Sequence, residues 1–475
     1  MTYTDLMQKE RNVLDYMRGM KDIPAIEHQL KNVHREGTMS GVAIAYGMVS
    51  KKVLYTQEMG IGKTFVAMGL IENILRANSD KKVMFCGTND KMNEYLEVFN
   101  ENLTEGWGIT STTAGEENVR RAFRDLDNGC RILISSHSVW DKGHRFHEEF
   151  IPRLNEFQAF ILDEGGMLLK NIDNYAYRMM EQFVPKMDYK FILNATPIER
   201  DLSLLVNQCR ILGIPIPSRT TLYRQHGYVD DESRWIFTDL GELKDSLKYH
   251  VFNVSRIHVE SAGEVTYKVD ARYLKVNEAI HTLIREDNSR SLRFPFKRPE
   301  LFLPEYYPSL RNLIDTCVTG KSNGDKMLVF IRNVEPKTQI KRILEELGMT
   351  VGIYDGTYTS TAEQKNYVEK EFNDGKYDVL LTNKLYGLSL KTATHAIMYD
   401  LPHNFFQYVY RAIRDLKSKE LKVTVMVYDY PNDYRTIQEE LNSERYQNQF
   451  SDRGFEMVKT IDNQLRAKAE AKHYD

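Results

Sequence analysis

Thr56-Gln57-Glu58-Met59-Gly60-Ile61-Gly62-Lys63-Thr64 lies between an apolar run, Val53-Leu54-Tyr55, and a helix-like segment from Phe65-Val66-Ala67-Met68 to Ile74-Leu75. Its glycines fall where a strand must turn into a helix, and there successive backbone N–H groups and a helix N-terminus converge on an anion. Glycine lets the backbone approach phosphate closely because it has no Cβ. The pattern therefore assigns phosphate cradling to Gly60, Ile61, Gly62, Lys63 and Thr64, with the Lys63 ammonium on the β and γ phosphates and the Thr64 hydroxyl on Mg²⁺. The full phosphate-loop pattern carries another glycine six residues before the lysine, and Gln57 occupies that place.

Downstream, short apolar runs alternate with helical stretches: Lys82-Val83-Met84-Phe85-Cys86, Arg131-Ile132-Leu133-Ile134-Ser135, Ala159-Phe160-Ile161-Leu162 and Phe191-Ile192-Leu193. This alternation predicts an α/β fold with a parallel sheet covered on both faces. Ligands of such sheets sit beyond the carboxyl ends of the strands, so the residues after each run are the informative ones. Asp163-Glu164 follows the third run, where one carboxylate holds Mg²⁺ through its waters and the other orients and deprotonates a water. Asp163 takes the metal role and Glu164 the water role; an acidic helix N-terminus is the competing reading. Asn194-Ala195-Thr196-Pro197 follows the fourth run, and Thr196 there either senses a γ-phosphate or belongs to a capped turn. Upstream of the loop, a helical region over 3–35 leads into Ile26-Glu27-His28-Gln29-Leu30. The Gln29 amide either reads an adenine edge or is a plain surface group.

The pattern breaks between Ile214 and Pro308, which reads as an insertion and connection. Within it Arg290, Arg293, Lys297 and Arg298 interleave with Phe294 and Phe296, a composition suited to phosphate contacts and base stacking or to a solvated linker. A second alternating unit follows, with runs at Lys326–Ile331, Val351–Tyr354, Asp378–Leu381, Ala396–Tyr399 and Val423–Val427, and no second phosphate loop. Its Gln407-Tyr408-Val409-Tyr410-Arg411-Ala412-Ile413-Arg414, if helical, aligns Gln407, Arg411 and Arg414 on one face and buries Phe406, Val409, Tyr410 and Ile413 on another. Two aligned guanidiniums can clamp a phosphate; a solvated basic face is the alternative. The expected division is 1–213 for a first lobe, 214–308 for the insertion, 309–430 for a second lobe and 431–475 for a helical tail.

Lys+Arg 64 against Asp+Glu 67 leaves no basic footprint on the whole chain, so any nucleic-acid contact must be local. Cys86, Cys130, Cys209 and Cys317 are scattered without metal spacing and read as small buried hydrophobes in a reducing compartment. No basic segment leads into an apolar run at the start, and no window approaches the roughly 20 apolar residues of a membrane span. A soluble, intracellular protein without membrane partners is expected.

In order, Glu58 to Thr64, Ser136-His137-Ser138, Asp163-Glu164, Ala195-Thr196-Pro197-Ile198 with the Leu-rich helix after it, and Gln407 to Arg414 resemble the superfamily-two helicase-like ATPases, and within them the Swi/Snf-type DNA translocases. The resemblance runs from about Ile26 to Tyr428, excluding most of the insertion, and the Swi/Snf-type loop also lacks the first glycine. It implies two RecA-like lobes, ATP and Mg²⁺ as cofactors, and DNA as partner, in duplex form. It carries adenine reading to Gln29, the arginine-finger role to Arg414 with Arg411 beside it, and coupling to Thr196, Gly387 and Gln407. Departures are Gly165-Gly166 after the acidic pair, a segment Thr382 to Ser389 that keeps only Gly387 of the family's glycines, and no recognisable chromatin-reading segment. The expected activity is a DNA-stimulated ATPase that translocates by opening and closing its lobes. A strand-separating or branch-migrating helicase, and an ATP-gated module regulating a protein partner, are the alternatives.

Overall fold

A computed structural model of the chain describes residues 38–58, 60–77, 80–103, 106–142, 145, 147–231, 233–254, 264–287, 292–356, 359, 362–384, 388–413, 419–451 and 456–471. Two compact units form, Met1–Ala262 with Tyr446–Arg453, and Gly263–Arg445 with Gly454–Asp475. Each is built on a parallel sheet, the two RecA-like lobes expected.

In the first unit the strands are β1 (Lys52–Tyr55), β2 (Lys82–Gly87), β3 (Ile109–Thr112), β4 (Ile132–Ser136), β5 (Phe157–Asp163) and β6 (Tyr189–Leu193). A hairpin follows, β7 (Gly227–Val229) with β8 (Trp235–Phe237), and then β9 (Val251–Phe252). The seven-stranded order is β3-β4-β2-β5-β6-β1-β9. Because side chains alternate across a strand, each run serves two cores. Val53, Tyr55, Phe85, Ile134, Ile161 and Phe191 face the helix Lys63–Ala77 through Val66, Leu70 and Ile74. Leu54, Met84, Leu133, Phe160, Leu162 and Ile192 face the opposite layer with Trp140, Tyr177 and Leu205. Burial on both faces explains runs without polar interruption.

In the second unit β10 (Val265–Leu274), β11 (Met327–Phe330), β12 (Val351–Tyr354), β13 (Val379–Thr382), β14 (His395–Met398) and β15 (Lys419–Tyr428) take the order β10-β15-β14-β11-β13-β12. Residues 214–308 form no unit of their own. β9 extends the first sheet beside β1, and β10 pairs with β15 along ten residues of the second. The C-terminal helices are present over Pro431–Ser451 and Met457–Ala471. The latter lies on β10, where the Gln464 amide accepts from Ala271 N at 2.9 Å and donates to Val269 O at 2.9 Å, so a side chain completes the pairing of an edge strand. Among the described residues no helix is long and apolar enough to cross a membrane.

Where β14 begins beside β15, His395 Nε2 meets Thr424 Oγ1 at 2.8 Å, and Asp325 accepts from Lys422 at 2.8 and 2.9 Å. Burial pushes His395 down to about 4 despite the Asp325 charge. The unfolded chain therefore binds this proton more readily, and stability falls as pH drops from 6.5 toward 4. Chemical denaturation at pH 7 and pH 4.5 should show a loss of about 2 kcal/mol traceable to this residue, and His395→Gln should remove that part of the pH dependence.

Candidate active site

Register places the candidate groups on one edge. Tyr55 of β1 pairs with Leu193 of β6, Leu193 pairs with Asp163 of β5, and Gly87 of β2 pairs with Ser136 of β4. The segments that follow these strands thus leave the sheet side by side.

After β1 the chain stays extended against residues 250–254, with Thr56 N on Phe252 O and Glu58 N on Val254 O, each 2.9 Å. Gln57 is buried within this extended stretch, and its φ is not positive, so no glycine is needed there. The turn is made by Gly60 at φ 81° and Gly62 at φ 88°, left-handed values that a side chain would strain. The helix Lys63–Ala77 begins at once, closed by Phe65 N and Val66 N on Gly62 O. Ile61 is buried against Val254 and Phe252 and pins the loop's apex. Lys63 Nζ donates to the carbonyls of Gln57 and Glu58, both at 3.1 Å, so the ammonium lies over the loop that it would share with phosphate. Thr64, like Gly60, Gly62 and Lys63, is half-buried.

Asp163 ends β5 almost fully buried. Tyr95 Oη donates to its Oδ2 at 2.6 Å, and His137 Nε2 lies 2.9 Å from its main-chain oxygen. Burial lowers the His137 pKa and keeps the ring neutral; Nε2 carries the proton, because a carbonyl only accepts. Asp163 Oδ1 is buried with no hydrogen-bond partner among the described residues. An acceptor left this way fits a hydrated cation, and together with the glycine cradle it makes the residues present compatible with Mg²⁺ and a nucleotide. Glu164 has φ 51°, held by its N–H on Leu193 O at 2.9 Å, and its Oε1 lies 3.9 Å from Lys91 Nζ. Gly165 is explained by packing, since a Cβ there would come within 2.5 Å of Leu162 Cδ2.

Thr196 is buried, its N–H on Asn194 Oδ1 at 3.1 Å. The Asn194 amide bonds Gln208 Oε1 at 2.9 Å, so the helix Ser203–Leu212 sets the position of this turn.

Two family models match. The DEAD/DEAH box helicase model covers residues 41–205, and the helicase conserved C-terminal domain model covers 308–416, together more than half of the chain. The chain belongs to the superfamily-two helicase-like ATPases. No curated protein matches it. Matching solved structures include a Sulfolobus solfataricus SWI2/SNF2 ATPase core in complex with dsDNA, 13% identical, with 90% of this chain and 96% of that chain covered and a TM-score of 0.39.

The second lobe of this helicase-like ATPase departs from the helical face expected around Arg411. The helix covers only Phe405–Val409, tightens into a turn at Tyr410–Ala412 and is left at Ile413, φ −116°, ψ 53°. Gln407 and Arg411 are buried along with the apolar residues, so among the described residues of this segment no separate basic face forms. Arg411 donates to Leu388 O and Gln407 Oε1, each at 3.3 Å, and its guanidinium is engaged inside its own lobe. Arg414, Gly387, Gln29 and Arg290 lie outside the described residues.

Arg293 does not belong to a solvated basic patch. It is buried, donates to both carboxylate oxygens of Asp433 at 3.1 and 2.5 Å, to Tyr399 O at 2.6 Å and to Met426 O at 2.9 Å, and lies over the Tyr428 ring. A guanidinium can leave water only with its donors matched, and this one ties Tyr399 after β14 and Met426 near the end of β15 to the helix at Asp433. Phe294 is likewise core, while Phe296, Lys297 and Arg298 remain exposed. Tyr95, Lys91 and Gln208 were not marked by sequence reasoning; the first two follow a strand's carboxyl end, the signal that could have found them.

Arg293→Met should destabilise the ATPase by about 3–5 kcal/mol in chemical denaturation, because Asp433 is left buried without its cation. Lys297→Ala and Arg298→Ala should leave the unfolding midpoint within about 0.5 kcal/mol of the parent value.

Proposed function

We propose that this protein hydrolyses ATP with Mg²⁺ and uses the hydrolysis to move along or remodel duplex DNA. The observation that carries the hydrolytic reading is the convergence of Lys63, Asp163, Glu164 and Thr196 on the carboxyl ends of three adjacent strands. Lys63 exchanges its two loop carbonyls for the β and γ phosphates, a stronger, charge-assisted partner. Thr64 and Asp163 hold the metal, which when bound neutralises charge on the phosphates. Glu164 orients and deprotonates the attacking water, and Thr196 reports on the γ-phosphate from the neighbouring turn. Gln29 reads the base. Arg414 is the arginine finger, and Arg411 with Gln407 supports the segment that carries it.

The DNA-motor reading rests on the family and on the Swi/Snf-type character of the motifs. Exposed Lys297 and Arg298 supply local phosphate contacts that the balanced overall charge does not. Strand separation is the second reading, favoured by the β7–β8 hairpin. Trp235 and Phe237 anchor it on Tyr223, and Tyr228 and Val229 are exposed by about half. An exposed aromatic on an anchored hairpin can stack on the last base pair of an opened duplex.

Steady-state ATP hydrolysis measured with no nucleic acid, single-stranded DNA, duplex DNA, a branched junction and RNA separates these readings. Strong stimulation by plain duplex is expected. Preference for single strands or junctions would transfer the assignment to strand separation or branch migration, and no stimulation by any of them would favour a module gated by ATP for a protein partner. Lys63→Ala should abolish turnover, Glu164→Gln should retain ATP and lose turnover, and Arg414→Ala should lower turnover by about 10³-fold with binding retained. Normal turnover in Lys63→Ala or Glu164→Gln would contradict the assignment.

A further inference from the structure

The segment after β2 reaches the acidic pair from the side opposite the phosphate loop, since β2 and β1 flank β5 and β6 in the sheet. A short 3₁₀ turn, Asn89–Lys91, leads into the helix Met92–Asn102, and the two bring Lys91 and Tyr95 beside the acidic pair. The Lys91 and Glu164 side chains retain only 9% and 8% of their exposure, with Nζ 3.9 Å from Oε1. A lysine is rarely buried to this degree without a partner of opposite charge. One turn further along the helix, Tyr95 is buried, its hydroxyl on Asp163 Oδ2 at 2.6 Å. The ring packs against Gly87, where a Cβ would sit 2.3 Å from Cε2, and makes an edge contact with Phe85 at 4.9 Å.

We propose that Lys91 and Tyr95 are positioning residues for the two carboxylates of the hydrolytic site. Tyr95 occupies one oxygen of Asp163 and so directs the other, Oδ1, toward the metal position. Lys91 holds the Glu164 side chain, which a left-handed backbone at φ 51° would otherwise leave to several rotamers. Neither residue touches nucleotide in this account; each acts through the carboxylate it holds. Gly87 belongs to the same device, because any side chain there would displace the Tyr95 ring. The inference rests on the roles proposed for Asp163 and Glu164.

The full-length chain is tested as Lys91→Met, Lys91→Gln, Lys91→Arg and Tyr95→Phe, beside Glu164→Gln and Lys63→Ala. For Lys91→Met the expected result is a kcat at least about tenfold lower with KM and binding of a fluorescent ATP analogue within about twofold, because orientation of the water-activating group is lost while binding is not. Lys91→Gln keeps the polar stem if the Met variant fails to bind the analogue, and should show the same split. Lys91→Arg should recover most of the lost kcat. For Tyr95→Phe the Mg²⁺ concentration at half-maximal analogue binding should rise by about tenfold, a readout independent of turnover. Parent kcat in both uncharged Lys91 variants, or an unchanged Mg²⁺ requirement in Tyr95→Phe, would overturn the assignment of that residue. Normal turnover in Glu164→Gln or Lys63→Ala would instead remove the site reading itself.

Discussion

Parallel pairing of β1, β6 and β5 is the constraint on which the rest depends. Tyr55, Leu193 and Asp163 stand at one level because their strands are hydrogen-bonded in that register. With strands about 4.8 Å apart, the phosphate loop and the acidic pair are held roughly 10 Å from each other by the backbone alone. A nucleotide's phosphates and a hydrated metal fill that span. A slip of one residue in either pairing would turn Asp163 to the other face of the sheet and dismantle the site. This is why the strands are buried on both faces and, past Gln158 and Lys190 near their starts, stay apolar up to Asp163 and Leu193. The apolar register is thus a positioning device for the chemistry.

The polar groups at this edge are arranged in two tiers. Lys63, Asp163 and Glu164 carry the chemistry proposed, and each is held by something beneath it: loop carbonyls, a tyrosine hydroxyl with a histidine, and a lysine. The second lobe uses the same kinds of groups for another purpose. Arg293 and Arg411 are both buried and spend their donors on carbonyls and carboxylate or amide oxygens of their own lobe. A buried guanidinium with matched donors fixes geometry at the cost of its availability to a ligand.

Long apolar runs with helical stretches between them announced both sheets, because burial on two faces leaves an unmistakable composition. The edges were less legible. Ile109–Thr112 and Val265–Leu274 carry polar residues because edge strands are only half covered, and Val251–Phe252 is too short to show a period. The loop and the acidic pair were readable because phosphate and metal binding restrict residue type at adjacent positions. Arg293 misled: charge interleaved with aromatics looks the same in a sequence whether the guanidinium faces water or a buried Asp433, and the partner lies 140 residues away. Tyr95 and Lys91 were hidden for a similar reason, since their partners Asp163 and Glu164 are distant in the chain and only the sheet order makes them neighbours.

The most direct measurement is a crystal structure of the full chain with Mg²⁺, ADP and aluminium fluoride. The account predicts Lys63 Nζ moved from the Gln57 and Glu58 carbonyls to the phosphates, the metal on the Thr64 hydroxyl, and waters between the metal and Asp163 Oδ1. A nucleotide bound elsewhere, with Lys63 still on its own loop, would contradict it.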